Sequence, residues 1–124
     1  MSTNDFDSIS PRDLHEFCRD GNDIELIDVR PRPMFDQCHV PEARFVDFDS
    51  LDPNAIMQSR GLAAGDPLYV ICQKGVRSVK VCERLTKAGI ANVINVEGGT
   101  GAWVEASLPV VIKQKSPGRL PKIW

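Results

Sequence analysis

Apolar and polar positions along the chain alternate between short apolar runs and helical stripes. Ile9 stands alone before the first clear signal. Ser10-Pro11-Arg12-Asp13 then has the form of a helix start, with a capping serine, a proline at the first turn and an acid near the positive end of the dipole. Leu14, Phe17 and Cys18 follow at i, i+3 and i+4, which predicts one buried stripe and places Cys18 in the core. Gly21-Asn22 ends that helix. Residues 24–29 are mostly apolar and read as a strand buried on both faces. A short helix is expected between Pro31 and Gln37, with Met34 and Phe35 facing inward. Cys38 to Ala43 is a turn-like link to a short strand at 44–47. Residues 49–60 are weakly helical, with Ile56 and Met57 as core candidates. Gly61, Gly65 and Asp66-Pro67 punctuate a loop.

The run from Leu68 to Ile71 predicts a second buried strand. Residues 78–88 then carry Val81, Leu85 and Ala88 on one helical face, with Cys82 beside it and Gly89 closing the helix. A third strand is expected at 93–96. The glycine-rich turn Glu97-Gly98-Gly99-Thr100-Gly101 follows, and Ala102-Trp103 opens a last helix. Alternating strands and helices argue an α/β fold with a largely parallel sheet. A ligand on such a sheet binds beyond the carboxyl ends of the strands, where Cys72 falls.

Length and composition fit a single domain with a core of its own: 124 residues, with 42% hydrophobic and 26% charged. The net charge of −2 gives no electrostatic case for nucleic acid. The first seven residues are polar and acidic, unlike a secretory leader, and no apolar run has the length of a membrane span, so a cytoplasmic protein is expected. From Lys113 onward the chain is basic and proline-containing and reads as a tail or linker, able to touch anionic lipid or a partner. The expected organisation is an N-terminal extension over 1–7, a domain over 8–112 and a tail over 113–124.

Chemistry concentrates on the loop Cys72-Gln73-Lys74-Gly75-Val76-Arg77-Ser78. A cysteine between a strand end and a helix start meets backbone N–H groups and a helix dipole, both of which favour a thiolate. Lys74 and Arg77 add positive charge, so the Cys72 thiol is expected to ionise easily. The other cysteines are Cys18, Cys38 and Cys82. Four cysteines allow three disulfide pairings, but a cytoplasmic compartment opposes all of them. His15 and His39 lack metal-ligand spacing with each other, and no metal is expected. The glycine-rich turn lacks both the G-x-G-x-x-G spacing and a Walker lysine, so no nucleotide cofactor is expected. Asp28 and Arg30 at the end of a buried strand suit a structural ion-pair network, with a role at the site as the alternative. His39 suits a hydrogen-bonded structural histidine, with a supporting role as its alternative.

Four segments, in order and spacing, resemble the rhodanese domain over residues 8–112. They are Leu26-Ile27-Asp28-Val29-Arg30, Cys38-His39-Val40-Pro41-Glu42-Ala43, the loop from Cys72 to Ser78, and Glu97-Gly98-Gly99-Thr100-Gly101-Ala102-Trp103 with Leu108-Pro109-Val110. The resemblance implies a mostly parallel sheet of about five strands with helices on both faces. It also implies a sulfurtransferase with a persulfide on Cys72, cradled by Gln73, Lys74, Gly75, Val76, Arg77 and Ser78. The implied partners are a small sulfur-containing anion such as thiosulfate and a thiol, cyanide or protein acceptor. A sulfur-carrier or regulatory binding module is the alternative. By the same resemblance, a Cys-x₄-Arg loop belongs to the sulfur-transferring branch, while phosphatases and arsenate reductases use a loop one residue longer. The family often has glycine where Cys38 and Glu42 stand. The glutamate version is similar to membrane-associated bacterial rhodaneses, so a soluble relative and an excised domain are both consistent with it. Cys38 becomes a second redox candidate, able to resolve the persulfide as a disulfide with Cys72.

Overall fold

The computed structural model describes residues 6–58 and 65–112. Five parallel strands form the central sheet in the order β1-β6-β5-β2-β4. These are β1 (Asp7–Ile9), β2 (Glu25–Asp28), β4 (Ala43–Phe45), β5 (Leu68–Ile71) and β6 (Val93–Val96). The helices between them are α1 (Pro11–Arg19), α2 (Arg32–Gln37), α3 (Pro53–Gln58), α4 (Arg77–Lys87) and α5 (Gly99–Glu105). A two-stranded antiparallel ribbon joins β3 (Cys38–His39) to β7 (Val111–Ile112).

The central strands β2 and β5 are buried along their whole length, so their side chains sort by the two-residue period into two cores. Ile27, Val29, Leu68, Val70 and Cys72 face one way and pack with Val81 and Leu85 of α4 and Ile56 of α3. Leu26, Tyr69 and Ile71 face the other way and meet Leu14 of α1 and Trp103 of α5. The sheet is therefore covered on both faces, as an all-parallel sheet requires. Cys72 follows directly after β5, at the carboxyl edge of the sheet.

Several local expectations need revision. Ile9 is not isolated: it ends β1 and pairs with Val96, in an edge strand too short and too exposed to show alternation in sequence. Phe17 and Met57 were expected inside but are 41% and 38% exposed, because α1 and α3 turn only Leu14 and Ile56 fully into the core among their large apolar residues. Met34 and Phe35 are half-buried and α2 contributes no fully buried side chain. Cys38-His39, read as part of a turn, pairs in register with Ile112 and Val111. The glycine-rich turn is shorter than expected, since α5 already begins at Gly99. The tail over 113–124, with its expected lipid or partner contact, lies outside the described residues, as do residues 1–5 of the extension.

Candidate active site

Cys72 sits at the floor of a cleft of about 620 Å³, and the residue is 2% exposed. The loop that follows curls back over it. Gly75 N–H donates to its Sγ at 3.0 Å and Ser78 N–H at 3.3 Å. The thiol in turn donates to Ser78 Oγ at 3.2 Å. Gly75 allows this curl because its φ is +86°, and a Cβ there would stand 3.0 Å from Gly98 N. Ser78 lies in the first turn of α4, where backbone N–H groups have no partner within the helix; one of them is spent on sulfur.

Burial pushes the Cys72 thiol up. The Ser78 hydroxyl, the Ser78 N–H and the N–H groups of Gly75 and Lys74 pull it down, and their sum wins: the pKa is lowered. The backbone N–H contribution is as expected, but the charges of Lys74 and Arg77, expected to add to it, are not among the causes. Both side chains are exposed, and the Arg77 guanidinium lies over the Phe48 ring, 4.5 Å from its centroid. They instead line the cleft with Lys80, Arg30, Met34, Phe48 and Val76. The described lining contains cations and apolar groups and no acid.

The other thiols differ sharply. Burial, then Cys72 and Glu83, pushes Cys82 up to about 12. Burial, then Glu42, pushes Cys18 up to about 11. All four cysteines are free. Cys38 is half-buried and lines a second cleft of about 510 Å³, which shares Arg30, Met34 and Gln73 with the first.

Asp28 and Arg30 form a buried pair. Arg30 Nη2 reaches Asp28 Oδ2 at 2.9 Å, and its backbone N–H and Nε also donate to Asp28. A second Nη2–H holds the Cys38 carbonyl at 2.5 Å, and Nη1 donates to Gln73 Oε1 at 3.2 Å. Arg30 thus joins β2, β3 and the cysteine loop. His39 is not brought to either cleft. Its ring stacks on Phe35 with centroids 3.9 Å apart, and Nδ1–H donates to the Phe35 carbonyl at 2.8 Å.

Two features escaped the sequence reading. The glycine-rich turn, weighed only as a phosphate cradle, holds the loop's own carbonyls: Thr100 N–H donates to Cys72 O at 2.7 Å and Gly101 N–H to Gln73 O at 2.9 Å. Asn95, a polar residue inside an otherwise apolar strand run, is 5% exposed and accepts from Ser78 Oγ at 2.5 Å. An asparagine in a buried parallel strand is itself the signal that points to it.

A cysteine loop at the carboxyl edge of a five-stranded parallel sheet, held by N–H groups aimed at sulfur, defines the class. Residues 10–106 match the rhodanese-like domain, and the chain belongs to that family. It is 30% identical to thiosulfate sulfurtransferase 18 of Arabidopsis thaliana, over 75% of this chain and 76% of that protein. It is 31% identical to the uncharacterized protein slr1261 of Synechocystis, over 89% of this chain but only 59% of that longer protein. The crystal structure of a rhodanese-like domain protein from Staphylococcus aureus superposes with a TM-score of 0.68 at 30% identity, covering 78% of this chain and 90% of that one. Among the described residues no helix is long and apolar enough to cross a membrane, and no group of three or more His, Cys, Asp or Glu side chains is placed to hold a metal ion.

Proposed function

We propose that the chain transfers sulfane sulfur through a persulfide on Cys72. The observation that carries this reading is a sulfur atom held by two backbone N–H groups at the floor of a cleft whose described lining is cationic and carries no acid. The Cys72 thiolate attacks the outer sulfur of thiosulfate, or of a persulfide donor. The S–S bond to the sulfite sulfur breaks, sulfite leaves with the bonding pair, and Cys72–S–S⁻ remains. Cyanide or a thiolate then attacks the terminal sulfur, and the Cys72 thiolate is released. This is nucleophilic covalent catalysis, with ping-pong kinetics. The loop N–H groups solvate the anion at each stage. Lys74, Arg77 and Lys80 draw the anionic donor, while Phe48, Met34 and Val76 give the cleft apolar walls. A reducing cytoplasm suits a mechanism in which the thiol is regenerated on every cycle.

Steady-state thiocyanate release from thiosulfate and cyanide tests the reading. Parallel reciprocal plots and loss of turnover in Cys72→Ser are expected. Intersecting plots, or full turnover in Cys72→Ser, overturn it. A second reading has one supporting observation: Val76, on the loop beside Cys72, is 69% exposed, which suits an apolar contact with a protein acceptor. A sulfur relay of that kind would label once on Cys72 and show no turnover with small acceptors.

A further inference from the structure

Asn95 occupies a position that packing alone would give to an aliphatic residue. In the β5–β6 register it pairs with Val70, so it stands on the face that also carries Val70 and Cys72. Val81, Val93 and Cys82 belong to the same core. Burying an amide there is costly unless it is bonded. Its recorded partner is Ser78, which is wholly buried and bonded in turn to Cys72.

The three side chains form a line with a direction. Cys72 S–H donates to Ser78 Oγ, and Ser78 O–H donates to Asn95 Oδ1. A serine hydroxyl has a single proton to donate. When Cys72 is a thiol, that proton belongs to Asn95. When Cys72 has lost its proton, the negative sulfur needs it, and Ser78 must turn. Asn95 Oδ1 would then face a bare hydroxyl oxygen 2.5 Å away. An asparagine relieves this by rotating its amide, so that Nδ2–H₂ donates to Ser78 Oγ. No aliphatic side chain or carboxylate serves both directions.

We propose that Asn95 is the positioning residue for the Cys72 thiolate, turning its amide so that the Ser78 hydroxyl donates to sulfur in the ionised state. The inference rests on Cys72 as the reacting thiol, and it acts entirely through Ser78. Chains of hydrogen bonds polarise one another, and those ending on a charge are the strong ones, so the line supports the thiolate more than the thiol. Other groups act on the same sulfur. Cys82 on α4 shares its core and interacts with it electrostatically, Lys74, Arg77 and Lys80 line the same cleft, and the Asp28–Arg30 pair reaches the loop through Gln73. A change at Asn95 substitutes none of them.

The test is the pH dependence of Cys72 alkylation by iodoacetamide, followed on the Cys72 peptide by mass spectrometry. Asn95→Leu and Asn95→Asp should each raise the midpoint by about one pH unit, a tenfold loss of thiolate near neutral pH. Asn95→Leu should have no further effect in a Ser78→Ala background. An unmoved midpoint in a folded Asn95→Leu protein overturns the proposal. So does an equal shift in the Ser78→Ala background. The unmodified protein provides a second measurement that needs no Asn95 variant. The side-chain amide resonances of Asn95 should titrate with the Cys72 midpoint and lose that transition in Cys72→Ser; resonances unmoved across the titration overturn it. Alkylation does not require turnover, so failure of sulfur transfer and failure of this inference are separately visible.

Discussion

Asp28 and Arg30 show what a buried ion pair does when it also holds a loop. The carboxylate takes three donors from Arg30, and Nη2 and Nη1 of the guanidinium each give a further N–H, to Cys38 O and to Gln73 Oε1. Removing one partner of such a pair strands the other. Asp28→Asn should therefore cost roughly 3–5 kcal/mol of unfolding free energy in urea. A loss below about 1 kcal/mol, the scale of an exposed pair, would show that the pair is not structural. The residues themselves were conspicuous in the sequence, because charge at the end of an apolar strand is unusual. Their partners were not, since Gln73 is 43 positions away from Arg30. Cys72 was legible for the same kind of reason: it ends an apolar run and precedes a glycine and a helix start. Part of the cause of its lowered pKa was legible too, since a helix start offers backbone N–H groups to a thiolate. Which of them reach sulfur, and that the charges of Lys74 and Arg77 are not among the causes, was not, because the aim of an N–H group is set by the fold.

At the scale of the element, the glycine-rich turn before α5 is the clearest case of a motif whose partner decides its meaning. What it cradles is peptide: the first N–H groups of α5 meet the carbonyls of Cys72 and Gln73. Gly99 is where the approach is closest. Its φ is +63°, and a Cβ there would stand 2.2 Å from Cys72 O. Gly99→Ala should displace the loop and lower kcat/KM for sulfur transfer by about a hundredfold, as small misplacements of reacting groups do. Circular dichroism should show the helices retained. Unchanged kcat/KM would show that the α5 contact does not set the position of Cys72. The short elements were the ones missed in sequence. β1, β3 and β7 have two or three residues each, too few for a period-two pattern, and they are fixed by pairing with distant chain.

Over the whole molecule, the succession of apolar runs and helical stripes was enough to read a parallel α/β sheet, because strands buried on both faces lose alternation and become continuous apolar runs. Strand order was not readable, since it depends on which crossovers pack and not on any local pattern. The same burial gives the fold a pH dependence. The Cys82 thiol is pushed from 9.0 up to about 12 in the folded protein, so it stays protonated while its unfolded counterpart ionises. Its contribution to stability is full below pH 9.0 and is lost as pH rises toward the folded value. Urea unfolding from pH 9 upward should show stability falling, with a slope approaching roughly 1.4 kcal/mol per pH unit from this one group. In Cys82→Ala that component should be absent; an identical slope in the variant would contradict the assignment.

The central claim is that Cys72 carries sulfur, and the intact mass of the reduced protein after incubation with thiosulfate tests it most directly. A gain of one sulfur atom is expected, lost on adding cyanide, absent in Cys72→Ser and retained in Cys38→Ser. No adduct from either thiosulfate or an organic persulfide, or an adduct that survives in Cys72→Ser, would contradict it.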